Sequence, residues 1–247
     1  MKALIFYLKL ALAWLWFLVA FLVGTLILPF RWRDPSVGVI VGSILNWGAT
    51  RILKIRIVVE NRAALTAHQP CIYVGNHQHN LDIQTLSGVY PPNTVVIGKK
   101  ELRWIPILGF FFMGSGHILL DRANRSSSVA SLVAVAEEMR RRHLSVLIFP
   151  EGHRAKGAMH MLPFKKGAFR LAIQTQTPIV PILHQHLSTY YDFREKRVGG
   201  VEIHVRVLDP ISTKGLTDRD VDRLMHDVRA RMETGLAELN ARPIAKI

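Results

Sequence analysis

Four short blocks hold the residues that could do chemistry. The first is Tyr73-Val-Gly-Asn-His-Gln-His-Asn-Leu-Asp82, in which His77 and Asp82 stand five positions apart. An apolar run ends at Gly75, a polar loop follows, and Leu81 to Leu86 reads as the opening of a helix. Strand-to-helix turns keep side chains on rigid supports while exposing them to a ligand. An imidazole that titrates near neutrality suits a general base. A carboxylate on its second ring N–H would fix the tautomer and stabilise the imidazolium that forms. Positions i and i+5 share no helix face, so the pairing requires His77 to lie outside the helix. The same residues also fit a loop histidine and a first-turn aspartate favoured by the helix dipole.

The other blocks bring charge to strand ends. Phe149-Pro-Glu-Gly-His-Arg154 follows the apolar run Ser145–Phe149. Its arginine offers a forked donor for phosphate, and Gly152 would let a ligand approach the backbone. Gly116-His-Ile-Leu-Leu-Asp-Arg122 is another apolar run with an arginine at its exit, and the prolines of Pro178-Ile-Val-Pro-Ile182 would shape a strand edge. Taken singly, an arginine near a strand end is a surface charge more often than a ligand. Two histidine pairs, His77-Gln-His79 and His184-Gln-His186, raise metal binding. Asp82 lies three residues past His79 with Ile83 after it, and no Cys or acidic residue neighbours the second pair, so neither matches a metal-ligand spacing. The single cysteine, Cys71, excludes a disulfide framework and sits in an apolar run, as a small core residue would. No Gly-x-Ser-x-Gly elbow is present for a serine hydrolase.

The elements that must position these residues follow from the apolar pattern. Ile55–Val59, Cys71–Gly75, Thr94–Ile97, Ile118–Asp121, Ser145–Phe149, Ile179–Leu183 and Val201–Val207 read as strands. Val129, Leu132, Val133, Ala136 and Met139 repeat at helical spacing, as do Val221, Leu224, Met225, Val228 and Met232 behind a Thr217/Asp220 cap. Strands interleaved with helices predict an α/β domain with a mixed or largely parallel sheet over residues 51–247. Residues 1–50 read as helices for membrane attachment. Leu10 to Phe30 carries no charged residue and is dense in Leu, Val, Phe and Trp, long enough to span a bilayer core of about 30 Å. Leu28-Pro29-Phe30 offers no small-residue cleavage site, which argues against a signal peptide. The shorter run Val37–Ala49 is too short to cross and suits a helix lying in the interface or packing back on the first. Lys2 and Lys9 on one flank and Arg31 and Arg33 on the other leave topology, and the choice between spanning and interfacial, open.

With 49% hydrophobic and 20% charged residues in 247, the chain is not disordered. Its net charge of +14 calls for an anionic partner. The apolar leader, and the lack of a zinc-finger or RRM signature, favour an anionic phospholipid membrane over nucleic acid. Arg51, Lys54 and Arg56 follow the leader, whereas Arg140–Arg142 equally fits a solvated helix end.

In their order, the four blocks resemble the glycerophospholipid acyltransferase family, and most of all its bacterial 1-acylglycerol-3-phosphate branch. His77 and Asp82 match the family's His-x4-Asp motif, and Arg122 the arginine closing its second motif. Glu151, Gly152 and Arg154 match Phe-Pro-Glu-Gly-Thr-Arg, and Pro178–Ile182 the fourth block. The likeness spans about Val74 to Leu183, and His153 replaces the usual threonine. The resemblance implies an α/β acyltransferase domain behind an N-terminal anchor. His77 would activate the sn-2 hydroxyl of lysophosphatidic acid, with Asp82 orienting it. Acyl-CoA or acyl carrier protein would be the donor, with no metal and no cofactor. It further implies that Arg122 and Arg154 hold the acceptor phosphate, Lys99 or Lys100 help, and Glu151 holds either the turn or the glycerol. The implied site of action is the cytoplasmic side of a bacterial inner membrane. Another lysolipid, such as lyso-ornithine lipid, is the alternative acceptor.

Overall fold

Runs of β-branched residues become strands where both faces are covered. The computed structural model describes residues 2–79, 82–120, 125–154, 160–186, 191–243 and 245. In chain order its strands are β1 Ile55–Glu60, β2 Ile72–Gly75, β3 Thr94–Lys99, β4 Ile118–Leu120, β5 Ser145–Ile148, β6 Ile179–His184, β7 Tyr191–Asp192, β8 Arg197–Val198 and β9 Val201–Val207. The helices are α1 Lys2–Ile27, α2 Ser36–Ile52, α3 Ala64–Ala67, α4 Asp82–Ser87, α5 Leu108–Gly114, α6 Arg125–Arg142, α7 Gly167–Thr175 and α8 Val221–Asn240.

Seven strands form one sheet in the order β1-β9-β6-β2-β5-β3-β4, and β7 pairs with β8 as a separate hairpin. Neighbours run parallel except β6 and β9, so the sheet is mixed and mainly parallel, as the pattern predicts. The central strands β2, β5 and β6 are buried throughout, as expected where helices lie on both faces. Alternation assigns the faces. Ile72 and Val74 pack with Val135, Ala136 and Met139 of α6, Phe169 and Leu171 of α7, and Leu224 and Val228 of α8. Cys71 and Tyr73 pack on the opposite face with Leu65 of α3 and Leu86 of α4. Within α6, Val133 is exposed instead, because Val135 takes the inward position. Thr217 and Asp220 form the expected capping box ahead of α8.

The apolar leader becomes a helical pair. Asp34 accepts the backbone N–H of Ser36 at 2.8 Å and so sets the turn into α2. The Trp16 indole N–H donates to the Ile44 carbonyl at 2.8 Å, and the Trp16 ring lies so close to Gly48 that no side chain fits there. Phe6, near the start of α1, is buried with Leu53, Ile55, Val198 and Val201. Near its end, Phe21 meets Phe111 of α5 edge to face, with centroids 4.9 Å apart, and Leu28 is fully buried. Both ends of α1 thus rest on the domain, while Leu4, Leu8, Leu15, Leu22 and Leu26 stay exposed along its outer face.

Candidate active site

The parallel strands deliver the candidate residues to one edge of the sheet. β2 ends at Gly75 and leads to His77; β5 ends at Ile148 and leads to Phe149 and Glu151. Polar groups at the carboxyl ends of parallel strands face the crevice where α/β proteins place ligands. Asp82 is the first residue of α4, and His77 precedes that helix in the loop, as the pairing requires.

His77 Nδ1 lies 2.6 Å from Asp82 Oδ2. The backbone N–H groups of Gln78 and His79 also donate to this carboxylate, at 2.9 and 3.0 Å. Asp82 is 1% exposed. Burial by itself would raise its carboxyl, but His184 and then His77, with the backbone donors, hold it below the usual carboxylate range. With Nδ1 engaged, Nε2 is the nitrogen left to exchange a proton. The His77 ring stacks on Phe149, with centroids 4.1 Å apart and planes 20° from parallel. That contact fixes the ring plane while the His77 side chain stays 23% exposed.

Glu151 is buried and holds the turn. One carboxylate oxygen accepts the backbone N–H of His77 at 2.7 Å, and the other that of Leu162 at 2.8 Å. Burial raises its carboxyl, and the two backbone donors oppose this only in part. Gly152 adopts φ +72°, where a Cβ would also meet the Lys165 side chain at 2.9 Å. Arg154 is exposed at the rim beside His77 and His79. The His79 imidazole is pushed down by burial first; Asp82 opposes this, and Arg154 and His186 add to it. Lys99 pairs with Glu101 on the surface at 3.3 Å, and Lys100 opens the following turn. The strand leading towards Arg122 ends at Leu120, opposite Lys99; Arg122 itself lies outside the described residues. Cys71 is buried beneath the sheet and burial pushes its thiol up to about 11, so it is a core residue. Among the described residues, no His, Cys, Asp and Glu cluster has a metal-ligand arrangement.

The histidine opens onto an apolar cavity of about 200 Å³. It runs from His77 and Phe149 past Tyr90, Val96 and His117 to Val41 and Leu45 of α2 and Phe21 of α1. Burial pushes the His117 imidazole down to about 4, so the deep wall carries no charge near neutrality. A base, a forked cation at the rim and an apolar cavity together equip this edge to activate a polar group attached to a hydrocarbon chain. Sequence reasoning did not find the cavity, because Phe21 and Val96 are apolar residues like any others until the fold sets them round one space.

A model of the acyltransferase family matches residues 56–185, more than half of the chain. The chain is 35% identical over 222 residues to the 1-acyl-sn-glycerol-3-phosphate acyltransferase of Haemophilus influenzae, covering 88% of this chain and 89% of that one. It is 38% identical over 193 residues to an uncharacterized acyltransferase of Schizosaccharomyces pombe, covering 78% and 69%. Its fold resembles the crystal structure of the 1-acyl-sn-glycerophosphate (LPA) acyltransferase PlsC from Thermotoga maritima, with TM-score 0.71, 23% identity, and coverage of 98% and 96%. The block likeness therefore reflects common descent, and the chain is an acyltransferase of this family.

Proposed function

We propose that this acyltransferase moves a fatty acyl group from acyl-CoA or acyl carrier protein to the sn-2 hydroxyl of 1-acylglycerol-3-phosphate, giving phosphatidic acid for phospholipid synthesis. The observation that carries this reading is the 2.6 Å pair of His77 and Asp82 at the mouth of an apolar cavity, with Arg154 on the rim. His77 Nε2 takes the hydroxyl proton as the oxygen attacks the thioester carbonyl carbon. The tetrahedral intermediate then collapses, the C–S bond breaks, and the imidazolium returns the proton to the departing sulfur. The step balances with no acyl-enzyme, metal or cofactor. Asp82 holds the tautomer and stabilises the imidazolium. Arg154, with Arg122 and Lys99 or Lys100, accounts for preference for a phosphomonoester. Glu151 acts through the turn that presents His77.

The membrane reading also gains shape. A helix whose two ends rest on one domain is suited to lie along a leaflet, its exposed leucines in the hydrocarbon boundary. Arg51 and Arg56 would meet anionic headgroups. Donor thioesters place the reaction on a cytoplasmic leaflet, the inner membrane in a bacterium. The test is acyl transfer by membranes containing the protein, offered lysophosphatidic acid, monoacylglycerol and lyso-ornithine lipid with each donor. Equal use of an acceptor lacking phosphate would overturn the assignment.

A further inference from the structure

Behind the catalytic pair lies a second histidine. His184 closes β6 and is fully buried. Its Nδ1 lies 3.1 Å from the Gln185 carbonyl oxygen, and its Nε2 lies 3.1 Å from the Asn76 carbonyl oxygen and 3.6 Å from Asp82 Oδ1. All three neighbours are oxygens that only accept. A neutral imidazole has one N–H and one lone pair, so either tautomer would aim a lone pair at a carbonyl oxygen. With both N–H groups present, every contact is a donor facing an acceptor. A buried cation is tolerated where it is paired and hydrogen-bonded, and here Asp82 is the counter-charge.

The backbone around this ring is held independently. The Asn76 side chain donates to the His184 carbonyl and accepts the His184 N–H, both at 3.0 Å. The residue preceding His77 is thereby fastened to the end of β6. Asp82 is in turn bracketed: Oδ2 faces His77, while Oδ1 accepts the His79 N–H at 3.0 Å and faces the charge-bearing edge of His184 at 3.6 Å, an electrostatic contact longer than a hydrogen bond.

We propose that His184 is a positioning residue for the acyl transfer, a doubly protonated ring that pins the far oxygen of Asp82 so that the near oxygen stays on His77 Nδ1. The role rests on the acyl-transfer reading above. It assigns work to half of the pair His184-Gln-His186, whose spacing matched no metal site. His184 does not reach the substrate; it acts only through Asp82.

The test uses the full-length protein in detergent micelles, with His184→Leu and His184→Gln made alone and in an Asp82→Asn background. Folding is checked by thermal melting and gel filtration. His184→Leu should lower kcat about ten- to a hundredfold, with donor and acceptor KM within about twofold, since the missing interaction serves the reaction step. His184→Gln keeps two N–H donors near the Nε2 position and should recover most of the loss. In the Asp82→Asn background, His184→Leu should cost less than about twofold further, because a residue acting through Asp82 has nothing left to act on. Nitrogen-15 NMR of histidine-labelled protein should show one buried ring with both nitrogens protonated, a signal lost in His184→Gln. A folded His184→Leu protein with kcat within about twofold of wild type would overturn the proposal, as would full additivity with Asp82→Asn. If His184→Leu does not fold, the ring spectrum decides, and a singly protonated His184 overturns it. That spectrum needs no substrate. Wild type inactive on every lysolipid would remove the functional reading while the spectrum still reported on the ring.

Discussion

Glu151, at the exit of β5, accepts the backbone N–H of His77, at the exit of β2, across 2.7 Å. The two residues are joined side chain to backbone, so the acid of one block sets the position of the histidine of another. Glu151→Ala would leave the N–H groups of His77 and Leu162 without acceptors, at about 1–3 kcal/mol each. The variant should melt at lower temperature and lose kcat about tenfold or more, with acceptor KM little changed. A selective rise in acceptor KM would instead mean that Glu151 holds the glycerol.

His77→Ala should lower the rate by about 10²- to 10⁴-fold, the usual range for a general base. Asp82→Asn should lose nearly as much. His79→Ala should be mild, because alanine keeps the backbone N–H that His79 donates to Asp82, and the half-buried ring lies against Tyr191. Rates normalised to folded protein check this; equal losses at His77 and His79 would dissolve the distinction.

Acid should weaken the fold partly through Asp82. Its carboxyl is held below the ordinary range in the folded chain, despite burial, by His184 and His77, so the folded state binds that proton less readily than the unfolded state. The stability this contributes is fully present above the unfolded value of about 3.9 and is lost as pH falls through the lower folded value. Denaturant midpoints at about pH 5 and about pH 3 should therefore converge in Asp82→Asn relative to wild type. An unchanged difference would remove Asp82 from the acid response.

Arg154→Ala should reduce kcat/KM for lysophosphatidic acid about ten- to a hundredfold, since a charged hydrogen bond is worth roughly 1.5–3 kcal/mol. Lysine should restore little, lacking the fork. Preference over monoacylglycerol should shrink in parallel, and donor KM should hold. Competition assays with mixed acceptors measure this directly.

Glutamate at Leu8, Leu15 and Leu22 together should move the protein out of the membrane fraction without unfolding it, since all three are exposed on the outer face of α1. Deleting residues 1–30 should instead cause aggregation, because Phe6 and Phe21 cover apolar surface of the domain. Carbonate washing and flotation on liposomes separate these outcomes. A soluble, active deletion variant would show the helix to be dispensable to the fold.

Much of this architecture was legible as local pattern. Val201–Val207 is a strand over the expected residues, and the other six runs differ from the observed strands by no more than two residues at an end, Asp121 lying outside the described residues. Spacing left the pairing of His77 and Asp82 open, requiring only that His77 lie outside the helix, and the fold supplies that by ending β2 at Gly75 and starting α4 at Asp82. What stayed hidden depends on contacts between residues far apart in the chain. Asn76 and His184 are 108 residues apart, and nothing local to either announces the clasp. The antiparallel turn of β9 onto β6 was invisible for the same reason. Arg140–Arg142, open between a lipid-facing patch and a solvated helix end, forms the last turn of α6 with Arg140 and Arg141 exposed: Arg140 donates to the Gln174 carbonyl, Arg141 pairs with Glu138, and Arg142 reaches the Arg33 carbonyl.

The cavity beside His77 borrows its far wall from Phe21 of α1 and from Val41 and Leu45 of α2. On the proposed reading, α1 is also the helix that lies along the leaflet, with α2 packed between it and the domain. A lipid acceptor could then pass sideways from the leaflet to the base without entering bulk water, and the reaction would belong to a surface. Turnover should track the mole fraction of lysolipid in the bilayer. Adding inert phospholipid at constant total lysolipid should slow it, as dilution slows any reaction confined to two dimensions.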